Sequence, residues 1–281
     1  STSNFSEDWS TRSTSSPPSR SFALAVVACD DDDPGSGNGS NDAGMADSGS
    51  EMDSGVSMDS GVMPMVCAPT TVPCQDESIQ QLALLTDPSP DEITDESTGT
   101  DKFLNLINST GGGLNPTQSY VYARFTETGL EKVEIGDEAA LESTDWDIAF
   151  RRFVVRLNSG VSGPSCVQAA RTAPDTDFDA LTTVPDDLIY RSETYFTDTC
   201  EYVADSGIGS PATAMISFWD YRSCVEMTGN VFILQLADGS NVKLEVLSYY
   251  LPENQEVCND TGSVPFPSGS GNIRIQWAYV D

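Results

Sequence analysis

Residues 145–152 read DWDIAFRR, and residues 155–163 read VRLNSGVSG. Residues 147–157 are rich in β-branched and aromatic side chains, which favour extended strands over helices. The Gly and Ser residues that follow are typical of a turn. The stretch therefore predicts a β-strand that runs into a tight loop.

Further strand patterns lie on both sides of it. Residues 120–126 and 131–135 alternate between two sets of side chains, the period of two that a strand requires. Residues 231–237 and 241–251 flank Asp238-Gly239-Ser240, which is a hairpin signal. Residues 272–280 form a last alternating run. The sequence predicts an all-β, or β-rich, domain over residues 105–281.

Residues 66–104 form a separate small region in this interpretation. Ile79, Leu82 and Leu85 recur at helical spacing and predict a short helix over residues 77–85. Residues 87–101 are acidic and contain proline, so we expect a loop or linker there. Residues 192–211 are polar, and we expect irregular structure.

The amino-terminal segment has the layout of a secretory signal. Arg12 and Arg20 precede a short apolar run at residues 22–28, and Cys29 follows at once. Val26-Val27-Ala28-Cys29 is similar to a bacterial lipobox, in which the cysteine is lipidated. The run is too short to span a bilayer, which needs about 20 residues. Residues 1–29 are therefore predicted to be a signal peptide and lipobox, with a buried apolar strand as the alternative.

Residues 30–65 predict a disordered acidic tether rich in Gly and Ser. The segment contains no Lys, Arg or aromatic residue, so it cannot bury enough apolar surface to offset the entropy of ordering. Its repeats, MDSGV at 52–56 and at 58–62, lack the ligand spacing and closing Glu of a calcium loop.

The chain has seven cysteines. If Cys29 carries a lipid, six are left, and an exported protein meets an oxidising compartment where cysteines pair. Six cysteines allow 15 connectivities. We expect the local pair Cys67–Cys74, which would close a small loop, and then Cys166–Cys200 and Cys224–Cys258. Structural disulfides are favoured over a metal cluster because no CxxC pair occurs.

Charge and composition exclude several functions. The 44 acidic residues against 13 basic ones give a net charge of −31, which disfavours nucleic acid as a partner. An alternative explanation of the charge is that the proteome uses acidic residues simply to keep its proteins soluble. The chain has no histidine, so Ser-His-Asp and Cys-His catalysis are excluded.

Several short sequence motifs in the predicted β domain resemble those of the HmuY family of haem-binding bacterial lipoproteins. DWDIAFRR and the NSGVSG turn are similar to its signature strand and turn, and FILQLADG at 232–239 with VKL at 242–244 is similar to its carboxy-terminal hairpin. FDAL at 178–181, FWDY at 218–221, SYY at 248–250 and residues 271–279 resemble further segments in order. The resemblance covers roughly residues 120–281 and implies an antiparallel β fold on an exported lipoprotein.

The resemblance also implies a cofactor. Relatives bind haem between two axial His or Met side chains on loops and pass it to a membrane receptor. Met227 lies near where a relative would place one ligand, and Tyr195 lies in the upstream loop; thioether and tyrosinate both ligate haem iron. Met215 is the other body methionine. In the alternative interpretation Met215 fills core against Trp219, and Met227 is an ordinary loop residue.

Two acidic clusters suggest other chemistry. One cluster could supply the paired acids of a hydrolase: Glu142, Asp145 and Asp147. A simpler interpretation is that these acids are partners for Arg151 and Arg152. Residues 175–179 imitate the first half of a calcium loop, but Ala180 stands where such a loop needs Gly.

The sequence thus predicts a binding protein, not an enzyme. The first hypothesis is a surface lipoprotein, anchored by lipid in the bacterial outer membrane or at the cell surface, that captures haem or another tetrapyrrole. An outer-membrane receptor would be its partner. The alternative is a structural or protein-interaction lipoprotein of the same fold that has lost haem binding.

Overall fold

The computed structural model describes residues 67–111, 115–205 and 207–281. The signal peptide and lipobox predicted for residues 1–29, with the lipidation site Cys29, lie outside the described residues. The acidic tether predicted for residues 30–65 lies outside them as well. These assignments remain predictions.

Strands dominate the described body. They are β1 (Ile93–Asp95), β2 (Phe103–Asn108), β3 (Val121–Thr126), β4 (Gly129–Val133), β5 (Ile148–Arg151), β6 (Val154–Leu157), β7 (Gln168–Arg171), β8 (Trp219–Tyr221), β9 (Val225–Met227), β10 (Val231–Gln235), β11 (Asn241–Ser248) and β12 (Asn272–Val280). The helices are α1 (Gln75–Gln81), α2 (Asp137–Ala140) and α3 (Pro252–Thr261), with a 3-10 turn at Ile216–Phe218.

The strands form two sheets and a hairpin. A six-stranded sheet has the order β1-β2-β12-β11-β10-β7, and a four-stranded sheet has the order β4-β3-β5-β6. Strands β8 and β9 pair with each other. Each of these strand pairs is antiparallel. The predicted antiparallel, mostly β fold is therefore confirmed.

Alternation along the strands builds the main core. Ile273, Ile275 and Trp277 of β12 are fully buried, while the residues between them are half-buried. They meet β3 of the other sheet, where the ring of Phe125 packs edge-on against Trp277 at a centroid distance of 4.9 Å. Both sheets contribute side chains to this apolar cluster, so the burial of apolar surface holds the two sheets together.

The four-stranded sheet is buried on its second face too. Tyr120 and Tyr122 point away from the main core into a second cluster that contains Trp146 and Tyr195. Helix α1 and its flanking residues contribute to this cluster as well. Two buried faces explain why the 145–163 stretch is so rich in large apolar and aromatic side chains.

The glycines of that stretch are required by close packing. Gly160 has a φ of 56°, and a Cβ there would lie 2.1 Å from the backbone oxygen of Glu193. A Cβ on Gly163 would lie 2.1 Å from Oδ1 of Asn158. The buried Asn158 amide donates to the backbone oxygens of Ser143 and Trp146, at 3.0 and 2.8 Å. The glycines of the NSGVSG motif therefore allow the close packing that closes the loop after β6.

The single strand predicted over residues 147–157 is in fact the hairpin β5–β6. Arg151 pairs with Val154, so Arg152 and Phe153 alone make the turn between the strands. Arg152 has a φ of 54°, a conformation that reverses the chain and that strand residues do not adopt. The alternation of faces changes phase at this turn, because Ile148 and Phe150 share the main core with Val155 and Leu157.

The region before residue 105 joins the same body. Strand β2 lies between β1 and β12, so residues 93–108 extend the main sheet. The predicted short helix is present as α1, shifted towards the amino terminus relative to residues 77–85. Residues 87–101, expected to be a loop or linker, include β1.

The three disulfides correct part of the predicted pairing. Cys67 bonds Cys166 and Cys74 bonds Cys200, so the expected pairs Cys67–Cys74 and Cys166–Cys200 are wrong. The chain between Cys67 and Cys74 runs across the body, where the Thr70 N–H donates to Pro164 O at 2.9 Å. Each cysteine therefore faces a different partner segment. The pair Cys224–Cys258 is confirmed.

Within the described ranges, none of the helices combines the length and apolar character needed to cross a membrane.

Candidate functional site

An aromatic cleft lies beside the β5–β6 turn. The turn is held by its first residue, whose backbone N–H donates to the oxygen of Ser109 at 2.8 Å. This anchor fixes Arg152 and Phe153 at one end of the four-stranded sheet. The cleft has a volume of about 420 Å³ and is lined by Arg152, Phe153, Ile208, Tyr221, Val225, Tyr249, Tyr250, Val264, Ser268 and Ser270. We refer to these residues together as the aromatic cleft.

Three rings form a continuous wall of the cleft. The ring centroid of Phe153 lies 5.9 Å from that of Tyr249, which lies 4.8 Å from that of Tyr250. Behind Phe153, Trp219 packs at 5.6 Å. Edge and tilted contacts at these distances hold aromatic side chains in place beyond the effect of area burial. The wall is therefore a preformed apolar surface.

Helix α3 supports that wall from behind. Oε1 of Gln255 accepts hydrogen bonds from the backbone N–H groups of Tyr249 and Tyr250, at 2.9 and 3.3 Å. Its Nε2 donates to the backbone oxygen of Val225 at 2.9 Å. The Cys224–Cys258 disulfide joins the same helix to the β8–β9 hairpin. One buried glutamine and one disulfide thus fix opposite sides of the cleft.

Two polar groups in the cleft have no partner among the described residues. Tyr249 is 2% exposed, and its hydroxyl makes no well-aligned hydrogen bond; the Ser270 hydroxyl only approaches it. Burial raises the pKa of Tyr249 to about 12, against the opposing charge of Arg152. The buried Nε of Arg152 is also unpaired in this part of the chain. Buried polar groups normally have partners, so these two are candidates for ligand contacts.

Arg152 is a cation without an acidic neighbour. Its guanidinium carbon lies 5.8 Å from the centroid of the Tyr249 ring. Six other basic residues form ion pairs within the described ranges, and Arg152 forms none there. Arg156, Arg171, Arg191 and Lys243 also lie outside these ion pairs, but none of them lines the cleft. Arg152 gives the aromatic cleft a positive group at its edge.

The three predicted site residues do not come together in this cleft. Met215 is fully buried in the main core, in the cluster that also holds Trp219. Met227 is half-buried and packs against the same cluster from the end of β9, where it pairs with Trp219. Val225 and Met227 lie on the same face of β9, and of the two only Val225 lines the cleft.

Tyr195 lies in the second cluster, behind the four-stranded sheet. Its hydroxyl accepts a hydrogen bond from the buried Arg156 at 3.5 Å, and burial raises its pKa to about 12. Arg156 also donates to the Tyr122 hydroxyl at 2.6 Å, which donates to Asp137 at 2.9 Å. Tyr195 thus belongs to a buried polar network inside the fold.

The acidic clusters have structural partners. Asp145 pairs with Arg124 at 3.1 Å and Arg151 pairs with the buried Asp137 at 3.5 Å, so the expected pairing of Asp145 and Asp147 with Arg151 and Arg152 is wrong. Asp147 accepts the N–H of Phe125 at 2.9 Å, and burial raises its pKa to about 6.

The calcium-like segment is likewise engaged by the protein. Asp179 pairs with Lys102 at 2.8 Å, and Asp177 accepts the N–H groups of Asp179 and Ala180. In residues 67–111, 115–205 and 207–281, no group of three or more acidic or cysteine side chains is arranged to hold a metal ion.

Comparison with known proteins gives one family and several structures. The family model described as HmuY protein matches residues 116–261. No curated protein sequence matches the chain.

Among solved structures, a Bacteroides vulgatus protein, provisionally described as an HmuY-like heme-binding protein, is 13% identical, with 68% of this chain and 96% of that chain covered and a TM-score of 0.41. A provisionally assigned lipoprotein of Bacteroides fragilis is 12% identical, with 65% and 93% covered and a TM-score of 0.40. An apo HmuY analogue of Tannerella forsythia is 14% identical, with 70% and 98% covered and a TM-score of 0.35.

The matched residues 116–261 run from just before β3 through α3 and include most of the aromatic cleft, and they make up more than half of the chain: this protein belongs to the HmuY family.

Proposed function

We propose that this chain is an exported, lipid-anchored binding protein that captures haem or another tetrapyrrole. The observation that carries the proposal is the aromatic cleft, an apolar wall of Phe153, Tyr249 and Tyr250 with the unpaired cation of Arg152 at its edge. Ligand sites are typically apolar concavities with few convergent polar groups. Membership of the HmuY family supports the same class of function, and one structural neighbour is provisionally described as an HmuY-like heme-binding protein.

The proposed anchor is a lipid on Cys29, with residues 30–65 as the tether between membrane and body. The lipobox pattern and the acidic, Gly-rich composition support it. The description of one structural neighbour as a lipoprotein is in keeping with export. A receptor in the outer membrane is the proposed partner. Mass spectrometry of the native protein tests the anchor: an unmodified Cys29 would remove it.

A titration with haemin tests the binding function. The aromatic cleft is expected to shift the Soret band at stoichiometric haemin and to give saturable heat in calorimetry. A variant with Phe153 replaced by Asp places a charge in the wall and should abolish both signals. The exposed Ile189, which is outside the cleft, provides a matched control when it is replaced by Asp. If wild-type protein gives neither signal, the structural or protein-interaction role is the one that remains.

A further inference from the structure

The residues of the aromatic cleft do not fit iron coordination. The chain has no histidine, and neither a thioether nor a thiolate is among the described residues that line the cleft. Two of its three phenols seldom reach the ionised form that ligates iron, because burial raises the pKa of Tyr249 to about 12 and also raises that of Tyr250. At pH 7 a phenol of that kind is ionised in about one molecule in 10⁵.

The same residues fit a planar acid well. A guanidinium binds a carboxylate through two parallel hydrogen bonds, and Arg152 is free of any acidic partner within the described part of the chain. The buried Tyr249 hydroxyl, neutral at physiological pH, is a donor that lacks a well-aligned acceptor among the described residues. Phe153 and Tyr250 offer ring faces and edges to a flat apolar body.

We propose that the aromatic cleft recognises a planar aromatic acid through its carboxylate, held by Arg152 and Tyr249, and through its ring face, and that iron contributes nothing to the affinity. This inference rests on the proposed capture of tetrapyrroles and specifies how they are bound. It implies that a metal-free porphyrin binds as well as haem does. It also implies that masking the carboxylates weakens binding, because the acceptor for Arg152 loses its charge.

Three ligands test the inference with the full chain: haemin, protoporphyrin IX and the dimethyl ester of protoporphyrin. The dissociation constants of haemin and protoporphyrin IX should agree within about threefold, and the ester should bind about tenfold or more weakly, as expected for the loss of a charge-assisted hydrogen bond. Tryptophan quenching reports the binding of all three.

Variants locate the carboxylate contact. Arg152→Gln should weaken both acids about tenfold and leave the ester unchanged, and Arg152→Lys should fall between wild type and Arg152→Gln. Arg222→Gln is the matched control. Arg222 is exposed, pairs with Glu226 on the same hairpin and is not part of the cleft lining, so its removal should change each constant by less than about twofold.

Failure of this inference can be distinguished from failure of the proposed function. Haemin binding that is about tenfold tighter than protoporphyrin binding, and that Met227→Ala reduces to the porphyrin level, would mean iron ligation; the proposed function would stand and this inference would fall. If Arg152→Gln weakened the binding of the acids and of the ester by the same factor, the proposed contact between Arg152 and the ligand carboxylate would be overturned. If no porphyrin binds, both proposals are overturned.

Discussion

The carboxylate of Glu193 accepts a hydrogen bond from the backbone N–H of Leu157, with Oε1 lying 2.9 Å from the nitrogen. Its other oxygen accepts the N–H of Ala214 at 3.0 Å. A fully buried acid thus joins the end of β6 to the segment before β8. Burial raises the pKa of Glu193 from 4.5 to about 7, against the opposing effects of these N–H groups and of Arg156.

Stability should therefore fall as the pH rises. Between about 4.5 and 7 the folded state holds the Glu193 proton more tightly than the unfolded chain does, so the free energy of unfolding decreases across that window. The contribution is on the order of 3 kcal/mol. Asp147, with a pKa raised to about 6, adds a smaller loss of the same sign.

Urea denaturation at pH 4.5 and pH 8 measures this loss. Glu193→Gln should remove most of it and leave the part due to Asp147. Glu201→Gln, at an exposed position, should keep the wild-type difference. An undiminished pH dependence in Glu193→Gln would show that the carboxyl does not titrate with folding.

Gly160→Ala should destabilise the protein severely. The added methyl group would lie 2.1 Å from the oxygen of Glu193 in a backbone conformation that already disfavours alanine. We expect a loss of about 3 kcal/mol or more in the free energy of unfolding. Gly229→Ala is matched in backbone conformation, with its nearest neighbour atom at 4.0 Å, and should cost about 1 kcal/mol. Equal costs would rule out the steric explanation.

Arg152→Gly should stabilise the fold while weakening ligand binding. A residue other than glycine at a φ of 54° carries a strain of about 1 kcal/mol, which glycine relieves. Thermal unfolding should show the gain, and porphyrin titration should show the loss. Asp175→Gly, at a φ of 60° outside the cleft lining, should give a similar gain with unchanged affinity. A destabilised Arg152→Gly would mean that the side chain has a structural role.

Removal of one disulfide should affect binding, and removal of another should not. Replacing Cys224 and Cys258 by Ala frees α3 from the β8–β9 hairpin, so porphyrin affinity should fall together with about 4 kcal/mol of stability. Replacing Cys74 and Cys200 by Ala opens a loop of 126 residues, and neither cysteine is part of the cleft lining. It should lower stability by about 5 kcal/mol and leave the affinity of the folded protein unchanged.

The strands were predictable because half-buried sheets impose alternation. Residues 272–280 were predicted with the bounds that β12 has, and the turn at Asp238-Gly239-Ser240 does connect β10 and β11. Helix α3 was missed because its buried residues are Asn254, Gln255 and Cys258, so it has no apolar stripe. Residue spacing along the chain was a poor guide to the disulfides, since two of the three close loops of about a hundred residues.

The cleft could not be predicted from local patterns. Its lining comes from the β5–β6 turn, Ile208, the β8–β9 hairpin, the two residues after β11 and the segment after α3, which only the folded chain brings together. Each contributor is an ordinary strand or turn residue by itself. The one local signal was the pair of arginines at 151 and 152, of which only Arg151 has an acidic partner in the described ranges.

The bond between Cys67 and Cys166 determines where mechanical load enters the body. Any force applied to the chain before residue 67 passes through sulfur to a position two residues before β7, at the edge of the main sheet. Helix α1 lies inside the closed covalent ring and is shielded from that force. A body built this way can be pulled at its amino-terminal end without peeling from that end.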